Sequence, residues 1–317
     1  MVQLSFSTFW QGERLSPYEM ACLSSFAARG YEVNLYSFDR FVNVPEGVAL
    51  CDAAAIVEQR AADAFLINGK PSLSHFSDYF RYRLFALHDT AWIDADIMLL
   101  KPFELPSEQP LFAREEATSI CGAIMHIPRG HSSLPALISR TEAMMGRNMR
   151  WGDSGPRLLS SQFGETEIME TSAPPDVFFP IHYSEFWKVF LPQFREECTA
   201  LCESAKTLHL WNNLIDKCGI WKMIGPPPGS FLHEVMLRSD CTRFFKDFYP
   251  AEVLTNVVEN FVARGGEGLG AREWFRLLLP SLRNTMRRRV KRDYGLLLER
   301  RARSPLSVMG KGTWPPR

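Results

Sequence analysis

Apolar and polar positions alternate along this chain in blocks of changing period, and the changes of period mark its elements. Val2 to Phe9 is a β-prone apolar run, followed by a predicted helix, MACLSSFAAR, that stops at Gly30, and a second β-prone run, YEVNLYSF. Ser16-Pro17-Tyr18-Glu19 opens that helix with a capping-box signature and proline at the first helical position. Strand, helix and strand so close together predict a parallel sheet with right-handed crossovers. A second helix is predicted over Asp52 to Ala62, a third from about Leu73 to Leu87, and a strand at Ala91 to Ile93. Ser119 to Ile127 reads as a strand and Leu134 to Met145 as a helix. WGDSGP, SAPPDVFFP and IGPPPGSF mark long loops, and Gly225 to Ser230 within the last is either a rigid turn or a lid hinge. The final stretch alternates apolar clusters with arginine runs, which predicts one or two basic amphipathic helices and a loose end. The expected class is α/β with a mixed, mainly parallel sheet. Residues 1–250 would form the main domain and 251–317 a helical, basic extension.

Composition agrees with a folded enzyme-sized body: 46% of the 317 residues are hydrophobic and 12% aromatic, enough for a buried core. The formal net charge is zero, yet residues 283–317 carry eleven Lys/Arg against two Asp/Glu, leaving the rest of the chain at −9. An acidic body with a basic tail suits a protein that meets an anionic surface at one end. Leucine and aromatic clusters interleaved with that charge favour an anionic bilayer over a plain solvated helix, and both over nucleic acid, for which no fold signature is present. The first seventeen residues lack a basic start and a sustained apolar run, and no window offers about 20 apolar residues, so neither a signal peptide nor a membrane span is expected. Seven scattered cysteines fit reduced thiols in a cytoplasmic setting, and the basic tail would place such a protein peripherally on the inner face of a membrane.

The candidate chemistry sits at Asp94-Ala95-Asp96, after the predicted strand and before a second apolar run. In extended chain the two carboxylates would point the same way, and their repulsion is best relieved by a shared cation. Oxygen ligands at an accessible strand end suit Mg2+ or Mn2+, which keep positions open for phosphate oxygens. A bare Asp-x-Asp is a weak signal, since thirteen aspartates give about half such a motif by chance. Its company gives it weight. Asp78 and Arg81 share a face of the preceding helix, either as a surface ion pair or as contacts to a sugar and phosphates.

Ser77-Asp78-x-x-Arg81 followed by aromatic-x-Asp94-x-Asp96 resembles the Asp-x-Asp glycosyltransferases of the GT-A fold. That group includes the α-1,4-galactosyltransferase type, the initiating α-1,6-mannosyltransferase type and the glucosyltransferase domains of large clostridial toxins. Phe9-Trp10, Trp151-Gly152-Asp153-Ser154-Gly155-Pro156 with Leu158-Leu159-Ser160, and Leu208-His209-Leu210-Trp211-Asn212 resemble further segments of the same group. Trp92 stands where those families usually carry tyrosine, and Cys121-Gly122-Ala123 where galactosyltransferase types carry Asn-Gly.

The resemblance implies transfer of a hexose from a nucleotide sugar, UDP-linked by preference, to a saccharide or lipid-linked glycan, with retention of configuration and a Mn2+ or Mg2+ ion. It makes Asp96 the firmest metal ligand, with Asp94 on the ribose, the metal or both. Asp78 and Arg81 would hold donor sugar and phosphates, and Asp153 and Gly155 would lie near donor sugar and acceptor. Phe9-Trp10 would supply the base-stacking aromatic. His209 would be a third ligand or diphosphate contact, and Trp211 and Asn212 part of a loop closing over the donor. Taken by itself, His209 is more often an ordinary buried histidine, a reading that the neighbouring Trp211-Asn212 brings level with the functional one. An aromatic at a strand end such as Trp10 is more often core than a stacking platform. Two other classes remain: a catalytically silent nucleotide- or glycan-binding scaffold, and a two-carboxylate glycoside hydrolase, for which Asp94 and Asp96 sit too close in sequence.

Overall fold

The computed structural model describes residues 5–40, 42–106, 108–268 and 270, with Arg283, Met286, Arg287 and Val290. The predicted basic helices and loose end fall outside the described residues, except that those four residues are helical. The strands are β1 (Ser5–Phe9), β2 (Val33–Ser37), β3 (Val48–Asp52), β4 (Leu66–Ile67), β5 (Lys70–Pro71), β6 (Thr90–Ile93), β7 (Ile97–Leu99), β8 (Leu111–Glu116), β9 (Ser119–His126) and β10 (Thr207–His209). The helices are α1 (Pro17–Ala27), α2 (Leu73–Leu87), α3 (Leu134–Glu142), α4 (Pro156–Phe163), α5 (Glu165–Thr171), α6 (Pro175–Phe178), α7 (Arg195–Leu201), α8 (Asn212–Cys218), α9 (Phe231–Arg238) and α10 (Ala251–Ala263).

A six-stranded sheet runs β3-β2-β1-β6-β9-β8, parallel from β3 to β6 and antiparallel from β6 to β8. This is the mixed, mainly parallel α/β sheet that the sequence predicts. Its inner strands are buried on both faces because the side chains alternate between two cores. Ala91 and Ile93 join the cluster of Phe6, Leu23 and Phe26, while Trp92 faces Phe76, Phe80 and Phe85. The capping box of α1 forms as predicted, with Ser16 and Glu19 each satisfying the other's backbone. A third cluster joins α1 to α8, α9 and α10 through Tyr18, Ile215, Leu232 and Leu254. Helix α10, placed from sequence in the extension, therefore packs on the same body, and the compact unit runs to Glu267.

One predicted element differs. Asp52 to Ala62 is not a single α-helix but two short 3-10 turns, Ala53–Ala55 and Gln59–Asp63. Asp52 accepts a hydrogen bond from the Ala54 N–H, and Ile56 and Val57 both turn inward. Adjacent inward residues suit a tight turn against α2 better than an amphipathic stripe.

The strand order sets where a ligand can bind. From β1 the chain moves to β2 on one side, and only later returns to lay β6 on the other. At such a switch point the loops leaving the two strands diverge and open a crevice at their carboxyl ends. Phe9 ends β1 and Asp94 follows β6.

Candidate functional site

That crevice is a cleft of about 490 Å3 lined by Trp10, Asp78, Arg81, Asp94, Asp96, Glu115, Trp151 and His209, among others. A larger depression of about 700 Å3 lies elsewhere, where Arg29, Lys101, Arg195 and Arg238 are interspersed with Glu196, Glu203 and Glu234. Size alone does not choose between them; the convergence of carboxylates and a histidine does.

Asp94, Ala95 and Asp96 form a turn rather than the extended run expected from sequence, closed by the Ile97 N–H on the Asp94 carbonyl at 3.1 Å. Each end of the turn is tied to a different strand. The Asp94 N–H donates to the Ala123 carbonyl of β9 at 2.8 Å, and the Asp96 carbonyl accepts from the Leu210 N–H just beyond β10 at 3.0 Å. The turn thus brings His209 to the acidic pair, with its Nε2 3.4 Å from Asp96 Oδ2. Candidate ligand atoms of Asp94, Asp96 and His209 all lie within 4.8 Å of one another.

Trp211 is left-handed at φ 58°, a costly conformation for a bulky residue. The amides on either side of it impose this, because the Asn212 N–H donates to Asp96 Oδ2 at 2.8 Å while Leu210 holds the Asp96 carbonyl. The result stacks the Trp211 indole on the His209 ring, centroids 3.8 Å apart.

Arg81 is 5% exposed and its donors are already engaged. It donates to the Gly122 carbonyl and to Ser77, and its Nη2 stands 3.4 Å from Asp78 and 3.5 Å from Asp94. The guanidinium lies over the Trp92 ring at 4.6 Å, and the Trp92 indole N–H donates to Asp94 Oδ1 at 2.7 Å. The tryptophan that departs from the usual tyrosine therefore grips both members of the ion pair. Arg81 is therefore no surface ion pair: it lines the cleft and braces Asp78 and Asp94.

The α2 stripe His75, Asp78 and Tyr82 binds the 150–155 loop. His75 Nε2 meets the Arg150 carbonyl at 3.0 Å, Ser154 Oγ donates to Asp78 Oδ2 at 2.7 Å, and Tyr82 donates to the Ser154 carbonyl at 2.8 Å. Electrostatics separates the aspartates. Burial pushes Asp94 up, with Arg81 opposing and the Asp96 charge adding to it. Burial also works to raise Asp96, but the His209 ring and the Asn212 amide outweigh it and hold it below the ordinary carboxylate range. Asp78 is raised by burial, against Arg81 and Ser154.

No family model matches the chain. Among curated proteins, Lactosylceramide 4-alpha-galactosyltransferase of Rattus norvegicus is 26% identical over 147 residues, covering 43% of this chain and 40% of that protein. The protein of the same name from Pongo pygmaeus is 26% identical over 147 residues, covering 43% of this chain and 66% of its own length. This chain is similar in sequence to glycosyltransferases. The matched stretch covers less than two thirds of either relative. Of solved structures, PaToxG Glycosyltransferase superposes with a TM-score of 0.36 at 14% identity, over 52% of this chain and 69% of that one. A transferase with two cysteine-to-serine substitutions gives 0.34 at 12%, over 58% and 89%.

Most residues singled out by the glycosyltransferase resemblance meet in this cleft: Phe9, Trp10, Asp78, Arg81, Asp94, Asp96, His209, Trp211 and Asn212 all line it. Phe9 also packs its ring on Phe38, Phe76 and Phe80, so it doubles as a core residue. Asp153 is the exception. Its carboxylate closes its own turn, accepting from the Arg150 N–H at 2.7 Å and pairing with Arg157 at 2.9 Å, in a separate depression with Arg140 and Arg147. Asp153 therefore faces away from the pair, and its neighbour Ser154 reaches Asp78 instead.

Glu115 enters the cleft without having been singled out from sequence. It is the extra residue of a β-bulge between Arg114 and Glu116, and bulges re-aim side chains next to binding sites. Burial pushes its carboxyl up, although Ser119 donates to it at 3.1 Å. Only a Glu-Glu pair beside a turn could have signalled it, and such pairs are commonplace.

The residues fit a divalent cation. Two carboxylates and an imidazole converge, with Arg81 bracing Asp94 alone of the three, and His209 Nδ1 is buried with no hydrogen-bond partner. Oxygen and imidazole donors of this kind suit Mn2+ or Mg2+.

Proposed function

We propose that this protein is a metal-dependent glycosyltransferase that moves a hexose from a nucleotide sugar, UDP-linked by preference, to a saccharide or lipid-linked glycan in the synthesis of cell-surface polysaccharide or lipopolysaccharide. The observation that carries this reading is the meeting of the Asp94-Asp96 pair with His209, more than a hundred residues further along the chain, at the switch point of the mixed sheet. The similarity to an α-galactosyltransferase supports the reaction class. A Mn2+ or Mg2+ ion held by Asp94, Asp96 and His209 would offset the charge that grows on the departing diphosphate. Trp10 and Trp211 offer rings for the base and the donor, and Arg81 keeps Asp78 and Asp94 in place.

In the transfer itself, the bond from the anomeric carbon to the diphosphate oxygen breaks while the acceptor oxygen bonds to the same face of that carbon. The acceptor proton passes to the departing phosphate, which gives retention without an enzyme nucleophile. Asp94 and Asp96 converge on one point rather than flanking a sugar, which disfavours the hydrolase reading, since paired catalytic carboxylates stand roughly 5 to 9.5 Å apart on opposite sides of the scissile bond.

The test is release of UDP from a panel of UDP-sugars with and without Mn2+, for the wild type and Asp96→Ala. The expected outcome is metal-dependent release that falls by at least about 100-fold in the variant. Release without metal, or an unaffected variant, would overturn the proposal. UDP binding without any release would mark a silent scaffold.

A further inference from the structure

Glu19 does more than cap a helix. A capping box asks only that one carboxylate oxygen accept the N-cap amide, and such glutamates commonly stand in water. Here Glu19 Oε2 accepts from the Ser16 N–H at 2.6 Å, and the side chain is wholly buried. Its other oxygen faces the far end of the chain. Glu19 Oε1 accepts from the Asn212 side-chain amide at 2.8 Å and from Lys222 Nζ at 3.2 Å. Burying a carboxylate so completely is costly unless it is paired and hydrogen-bonded, and the 212–222 segment supplies the pairing cation, Lys222, and every partner of Oε1. Asn212 is the joint: its side chain is held by Glu19, while its backbone N–H holds Asp96 Oδ2.

We propose that Glu19 is a positioning residue for the cation site, its carboxylate anchoring Asn212 and Lys222 so that the Asn212 backbone N–H fixes the orientation of Asp96. The proposal rests on the metal-site reading above. Glu19 touches neither the ion nor the donor; it acts through Asn212. Groups that orient metal ligands are worth roughly 10- to 100-fold in metal affinity.

Glu19→Gln separates the two duties. Its amide oxygen can still accept from Ser16, which keeps the helix cap, but its NH2 then meets the donors of Asn212 and Lys222. Calorimetric titration of the whole 317-residue chain with Mn2+ alone should show about tenfold weaker binding for Glu19→Gln and similarly for Asn212→Ala. The double variant should bind no more weakly than Asn212→Ala, because both act along one path. A residue that only supported the fold would lower the unfolding midpoint and leave the Mn2+ affinity alone. Wild-type affinity in Glu19→Gln, or losses that multiply in the double variant, would overturn the proposal. Should Glu19→Gln fail to fold, wild-type affinity in Asn212→Ala would overturn it equally. Absence of Mn2+ binding in the wild type would instead sink the metal-site reading, and this inference with it.

Discussion

At the scale of single residues, the site depends on close approach as much as on charge. Gly155 illustrates this, since a Cβ built there would stand 2.9 Å from Asp78 Oδ2. Gly155→Ala must displace Asp78 from Ser154, and the expected cost is about 1–3 kcal/mol in a denaturant titration, the range for forcing atoms into a packed site. Glu115 makes a pH-dependent prediction. Its folded pKa is raised by burial, so the folded state is penalised when the carboxyl is ionised in both states. That penalty is present at neutral pH, shrinks as pH falls through the raised pKa, and is absent below the ordinary glutamate value of about 4.3. Glu115→Gln should therefore raise the unfolding midpoint by about a degree or two at pH 7 and by nothing near pH 4. Equal gains at both pH values would show that charge is not the cause. Asp94, Asp96, Asp78 and Arg81 were legible in the sequence because short spacing within a helix and a turn keeps them together. Glu115 and Ser154 were not, because a bulge and a loop reversal decided which neighbour turned inward.

At the scale of elements, local signals and final structure agree where a segment carries its own instructions. The capping box started α1, and the stripe His75, Asp78 and Tyr82 on α2 docked the 150–155 loop. Disagreement came where tertiary packing dictated the backbone. Asp52 to Ala62 wound into two 3-10 turns, and the acidic pair formed a turn because two different strands claim its ends. Gly225, read as a rigid turn or a lid hinge, is tied on both sides: its N–H donates to the Asp247 carbonyl and its carbonyl accepts from the Tyr249 N–H, each at 2.9 Å. A Cβ at Gly225 would come 2.5 Å from the Phe248 ring. Gly225→Ala should thus destabilise the protein by about 1–3 kcal/mol, measured by denaturant titration. An unchanged midpoint would show that this bridge is loose enough to serve as a hinge.

At the scale of the whole molecule, the Asp94-Asp96-His209 site couples the turn between β6 and β7 to the segment from β10 onward, so filling it should stabilise the body as a unit. Mn2+ at about a hundred times its dissociation constant should add about 2.7 kcal/mol to unfolding stability, and a chelator should remove it. Asp96→Ala should show no such gain in a thermal melt. The basic segment from Arg283 onward belongs to this scale as well. We propose that it docks on an anionic membrane surface, on the strength of its +9 charge. Replacing Arg287, Arg288, Arg289, Lys291 and Arg292 with Gln should weaken co-sedimentation with phosphatidylserine vesicles at least tenfold while leaving neutral vesicles unaffected. Undiminished sedimentation would refute the docking role.

By itself the sequence determined the α/β class, the first capped helix, the helix face bearing Asp78 and Arg81, and the identity of the acidic pair. These are properties of residues a few positions apart, where periodicity and chain stiffness leave few alternatives. Only the tertiary structure decided that His209 meets Asp96, that Ser154 and not Asp153 reaches Asp78, and that Glu19 holds Asn212 from nearly two hundred residues away. Those pairings depend on which strands lie side by side and which loops must satisfy buried charges, conditions that exist only once the distant parts of the chain are packed together.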